Sequence, residues 1–323
     1  MSGSHAHSLT KWAWLSIAAA VVTIGMKAVA YFLTGSVGLL SDALESVVNL
    51  VAAILALIAL TYAARPADEK HQFGHGKAEY FSAGAEGAMI FVAAALIVYA
   101  AIERLFNPHP LEDLGIGLAV TLVATVINGV VGAVIIRQGR KHRSITLVAD
   151  GKHLMTDVYT SIGVVVGVGL VAVTGWLPLD SIVAIAVGIN ILWTGFTLMR
   201  HSMRGLLDHA LPDADNARVI AAVQGIADRY APGELEFHGL QTRESGRDQF
   251  VSLHVLVPGD WSVTRAHDLV EDVERAICEA LPHAHVLTHL EPLEDPRSHA
   301  DYTHGPRVTR RGEGETMSGH PDS

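Results

Sequence analysis

Six apolar runs, each long enough to cross the hydrocarbon of a bilayer, constrain this chain more than any other feature: residues 12–33, 37–62, 78–106, 114–136, 147–174 and 181–199. Backbone in lipid must satisfy its own hydrogen bonds, so runs of this length and composition are expected to be helices. The first run is too long for the core of a secretory signal, contains Lys27 and lacks a small-x-small cleavage site, and is read as a retained helix. An even number of spans puts both ends of the region on one side. The loops on that side carry ten Lys and Arg, from Lys11 to Arg204, whereas the opposite loops offer Arg104, so the positive-inside rule places both termini in the cytoplasm.

The net charge of −10 is concentrated in one place. Residues 212–296 hold 16 Asp and Glu against 6 Lys and Arg, and the rest of the 323-residue chain is balanced. An acidic soluble domain is therefore joined to a neutral membrane part. Val219, Ile220, Val223 and Ile226 fall at helical spacing, and Val251, Leu253, Val255 and Val257 alternate as in a strand. With LEFHGLQTRES as a first strand, SVTRAHDLVEDVERAICEAL as a second helix and HVLTHLEP as a last strand, the order is α-β-β-α-β. The expected fold class is an all-α six-helix membrane domain followed by a small α+β domain of ferredoxin-like type. The organisation reads as an N-terminal tail 1–10, a membrane domain 11–205, a soluble domain 206–296 and a disordered tail 297–323 that is rich in Gly, His and Arg.

Several function classes drop out. Cys278 is the sole cysteine, so neither a disulfide framework nor a thiolate metal cluster can form. No basic patch points to nucleic acid. The chain lacks G-x-x-x-x-G-K-[ST], so nucleotide does not drive it, and it lacks the H-E-x-x-H of a metalloprotease, so no enzyme is expected.

Two stretches carry the chemistry. Asp42, Glu45 and Asn49 in SDALESVVN, and Asp150, His153 and Asp157 in ADGKHLMTD, share one spacing at the head of an apolar run. On a helix, Glu45 projects beside Asn49 and His153 beside Asp157. Ionisable groups within membrane helices cost about 2.5–3.5 kcal/mol each on insertion scales and normally have a functional reason. The alternative is that they only hydrogen-bond helices together. Two carboxylates, a neutral imidazole and an amide oxygen would carry −2 and be neutralised by one divalent cation. Four N/O ligands suit Zn²⁺, and the same set accepts Fe²⁺, Mn²⁺ or Co²⁺. His153 must be deprotonated to bind metal, so protons can serve as the counter-ion. Asp42 and Asp150, one turn earlier, are read as helix-end or access-path carboxylates. Lys27, Glu86, Asn128 and Asn190 have no partner at such spacing and are read as packing residues.

GSVGLLSDALESVVN, PADEKHQFGHGKAE, ADGKHLMTDVYTSIGVVVG, FHGLQTRESG, LHVLVP, RAHDLVEDVE and LTHLEP together resemble the cation diffusion facilitators over about residues 10–296. The resemblance implies six-helix divalent metal/proton antiporters with a cytoplasmic ferredoxin-like domain, acting as homodimers in the lipid bilayer. It places the transport site on Glu45, Asn49, His153 and Asp157. The family has Asp or His followed by Asp in helix 2, and here Glu45 and Asn49 stand instead, which leaves the identity of the metal open. It also implies a loop site at Asp68, His71 and His75, which on spacing alone reads as a solvated loop. A cytoplasmic site is implied at His238, His254, His267, His289 and Glu291, and a dimer interlock between Lys77 and Asp208. The expected activity is efflux of zinc, or of iron, manganese, cobalt or cadmium, in exchange for protons across a bacterial inner membrane; the rival is a membrane metal sensor or buffer that binds without transporting.

Overall fold

The computed structural model describes the backbone of residues 3–34, 37–106, 115–176, 178–300 and 308–309, and the side chains of these except residues 3–8, 33–34, 37–45, 115–118, 164, 168, 169 and 172. The chain divides into two compact units, Met1–Leu206 and Leu207–Ser323.

The first unit consists of six helices, α1 (Gly3–Thr34), α2 (Val37–Ala63), α3 (Ala78–Phe106), α4 (Gly115–Lys141), α5 (Ile145–Thr174) and α6 (Pro178–Leu206). Among the described residues, five of them contain stretches long and apolar enough to cross a membrane, with mean hydropathy between 1.8 and 2.3. The sixth, α5, is the helix with Asp150, Lys152 and Asp157 in its first half. Residues 3–10, read as an N-terminal tail, are the first turns of α1, in which Leu9 is buried in a cluster with Ala13, Leu60, Ile135 and Leu154. Arg137, Arg140 and Lys141, counted above among the loop cations, lie in the last turns of α4, where Arg140 and Lys141 complement the negative end of the helix dipole.

Helix α5 is capped at both ends. Ser144 accepts from the Leu147 N–H, and Gly175, with φ of 73°, closes the C-terminus through its N–H to the Val171 carbonyl. The Glu79 carboxylate at the start of α3 accepts from the Ser144 hydroxyl and, at 3.4 Å, from the Thr146 N–H. Close packing without a water-driven force needs small residues at the contacts. A Cβ on Gly195 of α6 would lie 2.9 Å from the Gly87 carbonyl oxygen of α3, and a Cβ on Gly151 of α5 would lie 2.9 Å from the Gly132 carbonyl oxygen of α4. Helix backbones thus touch along α3–α6 and α4–α5.

The second unit runs α7 (Asp213–Ala227), β1 (Glu236–Ser245), β2 (Asp248–Val257), α8 (Val263–Ala280), β3 (Ala284–Pro292) and α9 (Arg297–Ala300), an α+β arrangement in the anticipated order. In the sheet β1-β2-β3, β1 pairs antiparallel and β3 parallel to β2. Val251, Leu253, Val255 and Val257 of β2 are buried in one core with Val219, Val223 and Ile226 of α7 and Leu269, Val273 and Ile277 of α8. The alternate residues of β2, His254 among them, therefore point from the opposite face. The tail expected to be disordered from residue 297 begins instead with α9, and Val308 exchanges two backbone hydrogen bonds with Phe237 of β1, at 3.0 and 2.9 Å.

Candidate metal centre

Within the helices, Asp157 of α5 is the focus. Its Oδ2 accepts from the amide nitrogen of Asn49 on α2 and, at 3.1 Å, from that of Asn128 on α4. A carboxylate only accepts, so both amides must turn their NH₂ toward it. That leaves Asn49 Oδ1, Asn128 Oδ1 and His153 Nδ1 buried with no hydrogen-bond partner. Asn49, Asn128, His153 and Asp157 are each less than 10% exposed. Buried polar atoms normally find partners, so three orphans on residues around one carboxylate mark a place where a further group belongs. Asn128, read from the sequence as a packing residue, thus hydrogen-bonds one helix to another, and no spacing within α4 could reveal which. Lys27 does likewise: its Nζ donates at 2.8 Å to Ser46 Oγ on α2. Glu45 and Asp42 lie in α2, and their side chains fall outside the described residues. Asp150 is buried and accepts from Ser16 Oγ of α1 at 3.0 Å.

The loop after α2 gathers its three expected residues. Asp68 Oδ1 accepts from the His71 and Lys70 N–H groups at 2.7 and 2.9 Å and lies 3.1 Å from His71 Nδ1, while Oδ2 lies 3.3 Å from His75 Nε2. The backbone bond from His71 leads the interactions that hold the Asp68 carboxyl below its ordinary range. Gly74, at φ of 81°, makes the turn that folds the two imidazoles together, their rings 4.4 Å apart. Ligand atoms of Asp68, His71 and His75 all lie within 4.8 Å of one another.

In the second unit the strand register builds the cluster. His238 sits opposite His254 on β2, and His254 opposite His289 on β3, so three imidazoles form one row across the sheet. Glu291, two residues beyond His289 on the same face, collects them: His238 Nε2 and His254 Nδ1 are 3.1 and 3.0 Å from Oε2, and His289 Nε2 is 3.5 Å from Oε1. Burial pushes the His238 imidazole below its ordinary pKa, with Glu291 opposing. The neutral form, which binds metal, is thereby favoured. His267 is not brought into this group; it stands exposed on α8, 3.9 Å from Glu271. Two residues that sequence reasoning missed approach His238, namely Glu236 and His299. Lys77 donates to the Leu206 carbonyl within the first unit, and Asp208 pairs with Arg243 within the second.

The family profile described as the cation efflux transmembrane domain matches residues 13–207, and that described as the cytoplasmic domain of cation efflux proteins matches residues 216–293. A Synechocystis protein called uncharacterized transporter sll1263 is 53% identical over 290 residues, 89% of this chain and 91% of its own. The cation-efflux pump FieF of Salmonella arizonae is 31% identical over 292 residues, 90% of this chain and 95% of its own. A solved structure of CzrB is 35% identical over 25% of this chain and 96% of its own, with a TM-score of 0.24.

Proposed function

The chain belongs to the cation diffusion facilitator family of multi-pass membrane cation efflux transporters, and on that footing we propose that it carries a divalent metal ion, zinc foremost, out of the cytoplasm in exchange for protons. One observation carries the reading: the Asp157 carboxylate, deep among helices, is met by amides from α2 and α4 while Asn49 Oδ1, Asn128 Oδ1 and His153 Nδ1 lack partners. The amide N–H groups supply the partial positive charge that a buried carboxylate demands. A divalent cation supplies more, and it recruits the unpartnered donors as ligands. Glu45, from its place one turn before Asn49, adds the second negative charge, so the loaded site is neutral. Release to one side leaves Asp157, Glu45 and His153 free to take up two protons among them from that side, which keeps the returning site neutral too. Oxygen-rich ligation with one imidazole also admits Fe²⁺, Mn²⁺, Co²⁺ or Cd²⁺.

The remaining groups take supporting roles. Asp68, His71 and His75 form a loop metal site, and His238, His254, His289 and Glu291 a cytoplasmic one, with His267 available from a moved helix or a second subunit. Two copies form a homodimer, interlocked by Lys77 and Asp208, in an inner membrane with both termini cytoplasmic. Asp42 and Asp150 line the access path.

Protein in sealed vesicles decides the matter. Zinc uptake is expected to follow an imposed pH gradient and to vanish in Asp157→Ala and Glu45→Ala. Flux at the parental rate in either variant, or flux indifferent to the gradient, overturns the reading; binding without flux identifies a sensor or buffer instead.

A further inference from the structure

We propose that Glu236, His238 and His299 form an additional divalent-metal site, in which the segment following β3 delivers a ligand to the edge strand β1. One ligand atom from each of the three lies within 4.8 Å of the other two. Glu236 and His238 are two apart on β1 and so share a face of the sheet. His299 approaches from α9, its ring edge-on to that of His238 with centroids 6.2 Å apart.

The chemistry of His299 fits a ligand. Its Nε2 lies 3.0 Å from the Leu293 carbonyl oxygen, which can only accept, so Nε2 carries the proton and Nδ1 keeps the lone pair. A ring whose far nitrogen donates to a backbone carbonyl is the usual arrangement of metal-binding histidine, oriented and made more basic by that bond. The ring is also delivered by an anchored segment. Asp295 accepts a forked pair from Arg297, at 3.1 Å to Oδ1 and 2.6 Å to Oδ2, and Ser298 Oγ donates at 2.8 Å to the Pro292 carbonyl. Beyond it, the chain returns to pair Val308 with Phe237, the residue between Glu236 and His238. Two imidazoles and one carboxylate suit Zn²⁺ with water completing the shell. Neither Glu236 nor His299 belongs to the set that the family resemblance implies.

His238 also faces Glu291 through Nε2, so this site and the cluster at His254 share one ring, which with both ions bound bridges them as an imidazolate, one nitrogen to each ion and its proton released to solvent. An ion held by Glu236, His238 and His299 ties α9 to β1 and alters the neighbouring site. It does so whether or not the helices carry metal across.

The test uses the full-length protein in detergent, dialysed to equilibrium against micromolar Zn²⁺, with bound zinc counted per chain by elemental mass spectrometry. His299→Ala and Glu236→Gln are each expected to bind about one ion fewer than wild type, and the double variant no fewer than either single one. His299 is exposed and Glu236→Gln is nearly isosteric, so neither change threatens the core. Wild-type stoichiometry in both single variants, or a loss of two ions in the double variant, overturns the site.

Discussion

Asn128 holds Asp157 as directly as Asn49 does, yet the two are not equally visible from the sequence. Asn49 stands four residues from Glu45, in a spacing that repeats on α5 at His153 and Asp157, whereas Asn128 is a lone amide in an apolar helix. Its contact to Asp157 spans 29 residues of chain and arises from the packing of α4 on α5. Lys27 and Ser46 were hidden for the same reason. A hydrogen bond to a charged group contributes about 1.5–3 kcal/mol. Asn128→Ala is therefore expected to weaken metal affinity at the transport site by roughly tenfold or more, read as a rise in the zinc concentration for half-maximal flux. Asn49→Asp is expected to reorder the metals carried, since it replaces a neutral donor with a charged one. An unchanged ranking in vesicles would assign selectivity elsewhere.

At the level of elements, the length of the apolar runs marked the six helices of the first unit, but the ends were set by contacts that run length does not contain. Leu9 drew α1 back to Gly3, and the dipole of α4 absorbed basic residues that look like a loop. The α-β-β-α-β order was legible from alternation in β2, while the convergence of His238, His254 and His289 was not. It depends on register, and a one-residue slip would send a histidine to the core face. Two outcomes test elements directly. Gly195→Ala places a Cβ 2.9 Å from the Gly87 carbonyl and is expected to cost about 1–3 kcal/mol, seen as a lower melting temperature in detergent. For α9, the Arg297 guanidinium holds the Asp295 carboxyl down to about 2, against 3.8 ordinarily. A depressed carboxylate favours the folded state above the ordinary value and loses that contribution as pH falls from 3.8 toward about 2. Arg297→Ala is expected to return Asp295 to the ordinary carboxylate range in an NMR titration.

For the whole molecule, the division of charge is the feature that sequence states most plainly. Residues 212–296 carry the chain's entire −10, and they hold six of the 18 histidines. Metal bound at His238, His254, His289 and Glu291 offsets that charge and is expected to tighten a dimer of such units. His238→Ala with His289→Ala should then weaken dimerisation in zinc, measured by analytical ultracentrifugation, and leave the zinc-free protein unaffected. Identical association with and without these histidines would detach metal from assembly.

The position of Asp157 has a consequence for motion. Its oxygen is reached from α2 on one side and α4 on the other, so whatever separates either helix from α5 also strips a donor from the carboxylate. If Asp157 holds the cargo as proposed, grip and gate are one device: no separate latch is needed to let the cargo go, because parting the helices is itself the letting go.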